Sequence, residues 1–335
     1  MQNKVKSQRF IWIDIMLTLI ALIIMEYFYY GVRAVFLCGV CAAVSLAAEV
    51  ISLRLMKRKF TADDLTCVSD ALILSLMLPA VIDYSIAAIA CVFAVTIAKN
   101  VFGGRKNIIF SPAAAGYVFL LTSWKSNVLM FTEPHVHTRV FEKATELVSS
   151  ASHTFNTTGR MNYTDFEILM GNVSGPAGTV SILLLAVAAL VLILRRDISF
   201  GAFIGTLLGT FLLSGTVPMC SNLLDSVKYT FSTNMVLFAA VYIVSDRRIA
   251  PKRNYYAFFY GIFISLFSYI LIITTAAENA IIIASILFTP VSLGFKNLEK
   301  YIARLEAEED EDIKRNFEKY LEKCRQKHKS AGEAE

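Results

Sequence analysis

The sequence predicts an all-α protein that crosses a lipid membrane many times, and three observations support this prediction. Hydrophobic residues make up 56% of the 335 residues, and the mean hydropathy is +0.57. Only 18% of the residues are charged, against about 25% in ordinary soluble domains. The length accommodates roughly ten spans of about 20 residues. This composition argues against a soluble globular domain, a disordered chain and a nucleic-acid-binding protein.

Ten apolar segments are predicted to be transmembrane helices, which satisfy their own backbone hydrogen bonds where water is absent. The first segment is not expected to be a cleaved signal peptide, because it has no small-residue cleavage site and contains Asp14 and Glu26. Pro79 ends the third segment, and interrupted spans are typical of half-helices around a midplane site. The predicted spans are about residues 10–30, 34–53, 65–82, 85–98, 107–123, 179–194, 198–213, 229–245, 255–275 and 279–295.

The positions of lysine and arginine predict the orientation of the chain. Of the 22 such residues before residue 296, 16 fall on one side if the N-terminus is cytoplasmic. The short loops on the other side keep only Arg33 and Lys228. Because positive charge in short loops marks the cytoplasmic side, we expect both termini in the cytoplasm.

A long polar loop divides the predicted spans into five plus five. Residues 124–178 form this outer loop, between a first set at 1–123 and a second set at 179–295. Repeating an odd number of spans turns the second copy upside down, and inverted repeats usually enclose a site near the membrane midplane. The spacing therefore favours two inverted five-helix repeats.

Residues 296–335 form a charged cytoplasmic tail. Its apolar residues recur at helical spacing, which predicts an amphipathic helix. We interpret this stripe as a docking face for a soluble or peripheral partner. The residues of the stripe are Ile313, Phe317, Leu321 and Cys324.

Two polar turns are candidate ligand sites. Residues 103–112 enter the fifth span, and Asn107 and Ser111 there offer hydrogen bonds. This turn is either an ordinary helix start or a wall for a ligand headgroup. Residues 246–251 are the counterpart in the second half, where Asp246 either belongs to a positive-inside anchor or holds a ligand or a helix end.

Acidic side chains within spans are costly and therefore mark candidate functional positions. Among them, Asp70 lies deepest within its predicted span and is the best candidate for a role in ion or flavin chemistry. We expect Glu49 to reach the basic cluster at residues 54–59. The acids in or near spans are Asp14, Glu26, Glu49, Asp70 and Asp83.

No metal site is predicted. Cys38 and Cys41 have the spacing of a metal or redox pair, but they lie in an apolar helix without further ligands nearby. The loop histidines His135, His137 and His153 lack the spacing of a zinc site and are predicted to be solvated surface residues. The sequence contains no phosphate-binding loop, dinucleotide fingerprint or nucleophile elbow.

The chain resembles the RnfD/NqrB family, the membrane subunits of the Rnf and Na⁺-NQR electron-transport complexes. The match covers about residues 60–295, in order and with the same number of spans. The similar stretches are 64–79 (family DGSAxxTGLLLALxLP), 99–104 (KxxFGG), 107–114 (NIFNPAA), 169–181 (LxGN and GSIGETS) and 246–251 (DPxTSP).

Several polar positions of the family pattern differ in this chain. Asp70 and Ala71 stand where the family has Thr-Gly, and Ser111 stands where it has Asn. Ile249 and Ala250 replace the Thr and Ser of the last stretch. These changes affect the positions that carry polar chemistry in the family.

The resemblance implies a fold of two inverted five-helix repeats, similar to urea transporters, in a bacterial inner membrane. It also implies an FMN carrier in an ion-pumping redox complex, with FMN joined through a phosphoester to a loop threonine. The matching position here is Ser152, at the end of the segment 146–152, where Glu146 replaces the family Asp. Any hydroxyl can be esterified, so serine is compatible with this chemistry. A flavin transferase would attach the FMN, and a second, non-covalent flavin is left open.

The mechanism that the resemblance implies is an electron relay through flavin, with other subunits as partners, coupled to export of Na⁺ or H⁺. Neighbouring subunits would donate the electrons, so no activity is expected from this chain alone. Two alternatives remain: a related redox subunit without covalent FMN, and a small-solute transporter or channel on the same scaffold. A fold does not by itself fix a function.

Overall fold

A computed structural model describes residues 8–102, 104, 108–142 and 146–332. Within these ranges the regular secondary structure is helical and no strand is present. Two isolated β-bridges join Phe131 to Val148 and Ile198 to Asp246. The predicted all-helical class is confirmed.

The first half of the chain contributes eight α-helices within the described residues. They are α1 (Gln8–Tyr30), α2 (Val32–Leu55), α3 (Thr66–Leu76), α4 (Tyr84–Phe93), α5 (Pro112–Ser123), α6 (Lys125–Val128), α7 (Ala151–Thr158) and α8 (Asp165–Met170). A 3₁₀ turn at Ala62–Leu65 precedes α3, and a π-helix at Ala94–Val101 continues α4. Helices α6, α7 and α8 lie in the predicted outer loop.

The second half contributes the remaining helices of the described chain. They are α9 (Ala177–Val180), α10 (Ile182–Leu194), α11 (Phe200–Thr216), α12 (Leu223–Ser232), α13 (Val236–Ala239), α14 (Asn254–Thr275), α15 (Ala280–Leu287) and α16 (Thr289–Gly332). A second π-helix at Ala240–Val244 continues α13.

Several of these helices are long and apolar enough to cross a membrane. Four qualify singly, at Ile11–Tyr30, Val32–Leu55, Tyr84–Val101 and Asn254–Thr275, and two bent pairs raise the number to six. One bent pair joins α12 to the segment Val236–Val244 at 55°. Helices α5, α10 and α11 are apolar but shorter. The membrane-spanning character is confirmed at this level, while the count of ten and the inverted repeats stay predictions.

Glycines bring α11 and α14 into close contact. Gly201, Gly205 and Gly209 recur every four residues along α11. A Cβ atom at Gly205 would lie 2.1 Å from the carbonyl oxygen of Phe258 in α14. Small residues at such spacing allow the backbones of membrane helices to approach each other.

We expect Gly205→Ala to lower the free energy of unfolding by about 1–3 kcal/mol, because the new methyl group meets backbone that cannot move aside. The matched control is Gly215→Ala in the same helix, where a Cβ atom has no neighbour within 4 Å. The control is expected to be neutral or stabilising by about 0.5–1 kcal/mol, since alanine favours helix. Unfolding in mixed detergent micelles measures both. Equal effects at the two positions would contradict the packing argument.

Residues 293–335 form a separate unit. Its described residues, 293–332, belong to the helix α16, whose exposed apolar side chains include Leu298, Tyr301, Ile313 and Phe317. Of the predicted apolar stripe, Ile313 and Phe317 are therefore exposed, while the side chains of Leu321 and Cys324 lie outside those that the structure describes.

Candidate functional site

Helix α7 presents the predicted flavin position, Ser152, from the outer loop. Ser150 caps the start of the helix, and its Oγ accepts a hydrogen bond of 2.9 Å from the backbone N–H of His153. Ser152 follows in the first turn and is half-buried. Its Oγ accepts a hydrogen bond of 3.0 Å from the backbone N–H of Asn234. The side chain therefore points toward the break between α12 and α13.

That break has a defined geometry. Asn234 and Met235 adopt left-handed backbone conformations, with φ of 57° and 55°. The side-chain amides of Asn156 and Asn234 form two reciprocal hydrogen bonds of 2.6 and 3.1 Å. Asn156 also donates to the carbonyl oxygen of Ala276 at 3.3 Å. Together these bonds hold α7 against both the break and the turn that follows α14.

The turn at residues 276–279 places a buried acid beside α7. The Oγ of Ser150 donates to a carboxyl oxygen of Glu278, which is 4% exposed. Burial raises the pKa of Glu278 from 4.5 to about 8.

This raised pKa predicts a pH dependence of stability. Between pH 4.5 and about 8, the folded chain holds a proton that the unfolded chain has lost. The free energy of unfolding should therefore fall as pH rises through this window. Glu278→Gln cannot ionise and should show a shallower slope. Thermal midpoints of both proteins across this pH window check the prediction, and identical slopes would contradict it.

A second polar centre joins the two halves of the chain. Arg248 donates two hydrogen bonds to the carboxylate of Asp70 in α3, with N–O distances of 3.0 and 2.5 Å. Its Nε also donates to Asp246 at 2.8 Å. Burial alone would lower the pKa of Arg248, but the charges of Asp246 and Asp70 outweigh it and raise the pKa. The guanidinium thus pairs with two carboxylates that the sequence indicated separately as functional candidates.

A cavity of about 130 Å³ lies beside this centre, between α1, α3 and the end of the second π-helix. Trp12, Ile73, Tyr242 and Asp246 are among its lining residues. The buried indole N–H of Trp12 has no hydrogen-bond partner within the described part of the chain. This volume is below the roughly 300–1,000 Å³ of small-molecule pockets, so a flavin-sized ligand would need the cavity to enlarge.

Ser111, another predicted ligand residue, lies apart from this cavity. Ser111 is buried and caps the start of α5, where its Oγ accepts a hydrogen bond of 3.4 Å from the N–H of Ala114. Asn107 lies outside the described residues. The structure therefore brings Asp246 together with Asp70 and leaves Ser111 elsewhere.

Glu49 has a different partner from the one expected. It pairs with Lys99 in the first π-helix, with an N–O distance of 2.9 Å and both side chains at most 1% exposed. Asn100 donates to the second carboxylate oxygen at 2.9 Å. The expected partner cluster at residues 54–59 is exposed at the end of α2. Glu49 instead lies on the buried face of α2 and contacts the π-helix.

Asp14 and Glu26 also have partners in the structure. Asp14 pairs with Arg195 at the end of α10. Glu26 is fully buried and accepts a hydrogen bond of 3.4 Å from the thiol of Cys38. Cys38 and Cys41 are buried free thiols, and no metal-binding group of three or more ligands is present among the residues the structure describes.

Arg248, Lys99 and Glu278 were not singled out from the sequence. Arg248 is accounted for by the positive-inside rule, and Glu278 follows a span where an interfacial acid is ordinary. The sequence did contain a signal for Lys99. It is a basic residue within an apolar segment, and such residues need buried partners.

Comparison with known proteins identifies the family. The NQR2, RnfD, RnfE family matches residues 1–293. The chain is 28% identical over 192 residues to the D subunit of the Na(+)-translocating ferredoxin:NAD(+) oxidoreductase complex of Acetobacterium woodii, covering 56% of this chain and 58% of that protein.

Two further relatives are D subunits of complexes named ion-translocating oxidoreductase. The Pectobacterium carotovorum protein is 32% identical over 136 residues, 39% of this chain and 38% of that protein. The Shewanella frigidimarina protein is 29% identical over 136 residues, 41% of this chain and 37% of that protein. The matched segments thus span just over half of the first relative and less of these two. The resemblance drawn from the sequence motifs is confirmed: the chain belongs to the NQR2, RnfD, RnfE family.

Proposed function

We propose that this chain is a flavin-carrying membrane subunit of an Rnf-type ion-translocating oxidoreductase complex. The observation that carries the proposal is the family match over residues 1–293, together with relatives named as the D subunits of such complexes. The spanning helices of the chain are consistent with this role. Other subunits would supply and remove the electrons, and export of Na⁺ or H⁺ would be coupled to their passage.

Ser152 is the residue that we expect to carry FMN through a phosphoester. The described residues fit this group, because the N–H of Asn234 donates to the Ser152 Oγ. An ester oxygen loses its proton but can still accept this bond. Glu146, exposed in the loop before α7, would belong to the segment that a flavin transferase recognises. FMN supplies one- and two-electron redox chemistry, and the chain supplies its position.

The second, non-covalent flavin is a separate proposal. It would occupy the cavity beside Asp246 only if the pair between Asp70 and Arg248 opened. Denaturing the purified protein and measuring the flavin released into solution tests this. A protein that releases none would rule the second flavin out.

We further infer ten spans in two inverted repeats, with both termini in the cytoplasm of a bacterial cell. The distribution of lysine and arginine supports this inference, as do the apolar helices α5, α10 and α11, which are too short to qualify as spans on their own. Alkaline phosphatase inserted after Thr157 should be active, and the same enzyme fused after residue 335 should be inactive. The reverse pattern would refute the orientation.

Membrane vesicles provide the test of the function. Vesicles that contain the complete set of subunits should reduce NAD⁺ with reduced ferredoxin, and deletion of this chain should abolish the reaction. Restoring the chain should restore the activity, and Ser152→Ala should not. Activity that survives the deletion would show that the chain is not part of such a complex.

A further inference from the structure

The outer loop is tied to the first turns of two spans by a buried arginine. Arg33 of α2 is 3% exposed and donates to the carbonyl oxygens of Val140 and Glu142 in the loop. It also donates to the carbonyl oxygen of Val81, at 3.0 Å, in the turn before α4. The hydroxyl of Tyr84, the first residue of α4, donates to Val140 as well. These hydrogen bonds therefore hold the loop against the N-terminal ends of α2 and α4.

With these carbonyl groups turned inward, the side chain of Phe141 projects outward. It is 85% exposed, although phenylalanine is strongly apolar. Its ring makes edge contacts with Phe36 of α2, at a centroid distance of 6.1 Å, and with Tyr84, at 6.4 Å. Both partners lie near the N-terminal ends of membrane-spanning helices, Tyr84 as the first and Phe36 as the fifth residue of its helix. Phe141 thus continues the apolar surface of those spans.

A groove runs along the turn between α1 and α2, and Val140, the residue before Phe141, is among its lining residues. Its apolar wall includes Phe28 and Val32, which are 63% and 55% exposed on spanning helices. Its loop wall includes Arg139 and Thr138, and Arg139 is exposed at the rim. An apolar wall that merges with lipid-facing helices, below a cation at the polar edge, matches the two parts of a phospholipid. Tyrosine side chains favour the headgroup level, which places Tyr84 and the Phe141 ring against it near that level, and guanidinium groups bind phosphate well.

We propose that this groove binds a phospholipid of the leaflet on the side of the outer loop. Its acyl chains lie along Phe28 and Val32, Phe141 enters at headgroup level, and Arg139 pairs with the phosphate. The bound lipid anchors the outer loop at a constant depth. The argument uses neither the flavin nor the redox activity, so it stands independently of the proposed function.

Tryptophan fluorescence tests the depth of Phe141. The full chain carries Trp12→Phe and Trp124→Phe, with a single new tryptophan from Phe141→Trp, and is placed in nanodiscs. Lipids brominated near the headgroup should quench this tryptophan, whereas aqueous iodide should quench it weakly. The control is Thr157→Trp on the exposed polar face of α7, which should respond to iodide only. A tryptophan at 141 that behaves like the control, or that neither reagent quenches, would overturn the proposal.

Lipid retention provides a second test that needs no tryptophan substitutions. Arg139→Gln should weaken retention of an anionic phospholipid about fivefold in native mass spectrometry, as for one basic residue near an anionic surface. Arg160→Gln removes another exposed arginine of the same loop and should leave retention unchanged. Equal retention in the two variants would contradict the assignment of Arg139.

Discussion

Lys99→Met is expected to lower the free energy of unfolding by about 3–5 kcal/mol, because it leaves Glu49 as an uncompensated buried charge. The two side chains form an ion pair of 2.9 Å, and neither is more than 1% exposed. Asn100 satisfies only one of the two carboxylate oxygens. The measurement is the free energy of unfolding in mixed detergent micelles.

Two further variants separate the ion pair from general effects of lysine removal. Lys59→Met removes an exposed lysine after α2 and should change stability by less than about 0.5 kcal/mol. Glu49→Gln with Lys99→Met removes both charges and keeps a carbonyl acceptor for Asn100. This double variant should be more stable than Lys99→Met alone. The variant Glu49→Gln alone completes the comparison. If the double variant loses as much free energy of unfolding as the two single variants together, the two residues are not energetically coupled.

Arg248→Met should cost about 3 kcal/mol, near the lower limit for breaking a buried pair. The variant leaves Asp70, which is 3% exposed, without its guanidinium partner. The cost is expected at the lower limit because the Arg248 side chain is 24% exposed. Asp246 is affected less, because the backbone N–H of residue 248 still donates to it at 2.8 Å.

The adjacent Arg247 is the matched control for this variant. Its side chain makes a hydrogen bond of 3.3 Å to the carbonyl oxygen of Ile198, so Arg247→Met should cost less than about 1 kcal/mol. Adding Asp70→Asn to Arg248→Met should recover part of the lost stability. Similar losses for the two single arginine variants would show that the bridge between the halves is unimportant for stability.

Sequence patterns predicted the elements of this fold better than the contacts between them. Apolar segments indicated the spanning helices, because a helix needs about 20 apolar residues to cross the hydrocarbon core of a bilayer. The sequence also indicated Asp70 and Asp246 as functional candidates, one for its depth and one for its family motif. Their shared partner Arg248 was not indicated, because a basic residue at a helix end already has an explanation.

Distances across the chain explain the other omissions. Lys99 lies 50 residues from Glu49, and Glu278 lies 128 residues from Ser150. A single sequence carries no signal for such pairs. The glycine spacing in α11 was readable in advance, because Gly201, Gly205 and Gly209 follow the small-residue rule for membrane helices. The break at Asn234 has no comparable pattern, since Asn156, the hydrogen-bond partner of its side chain, lies 78 residues away in the sequence.

Flavin fluorescence on a denaturing gel tests the central claim most directly. The chain is expressed in membranes together with a flavin transferase, beside Ser152→Ala and the control Ser149→Ala, which changes an exposed serine of the same segment. We predict a fluorescent band for the chain and for Ser149→Ala, and none for Ser152→Ala. A fluorescent band that persists in Ser152→Ala, or no fluorescence in any of the three proteins, would contradict covalent flavin at this residue.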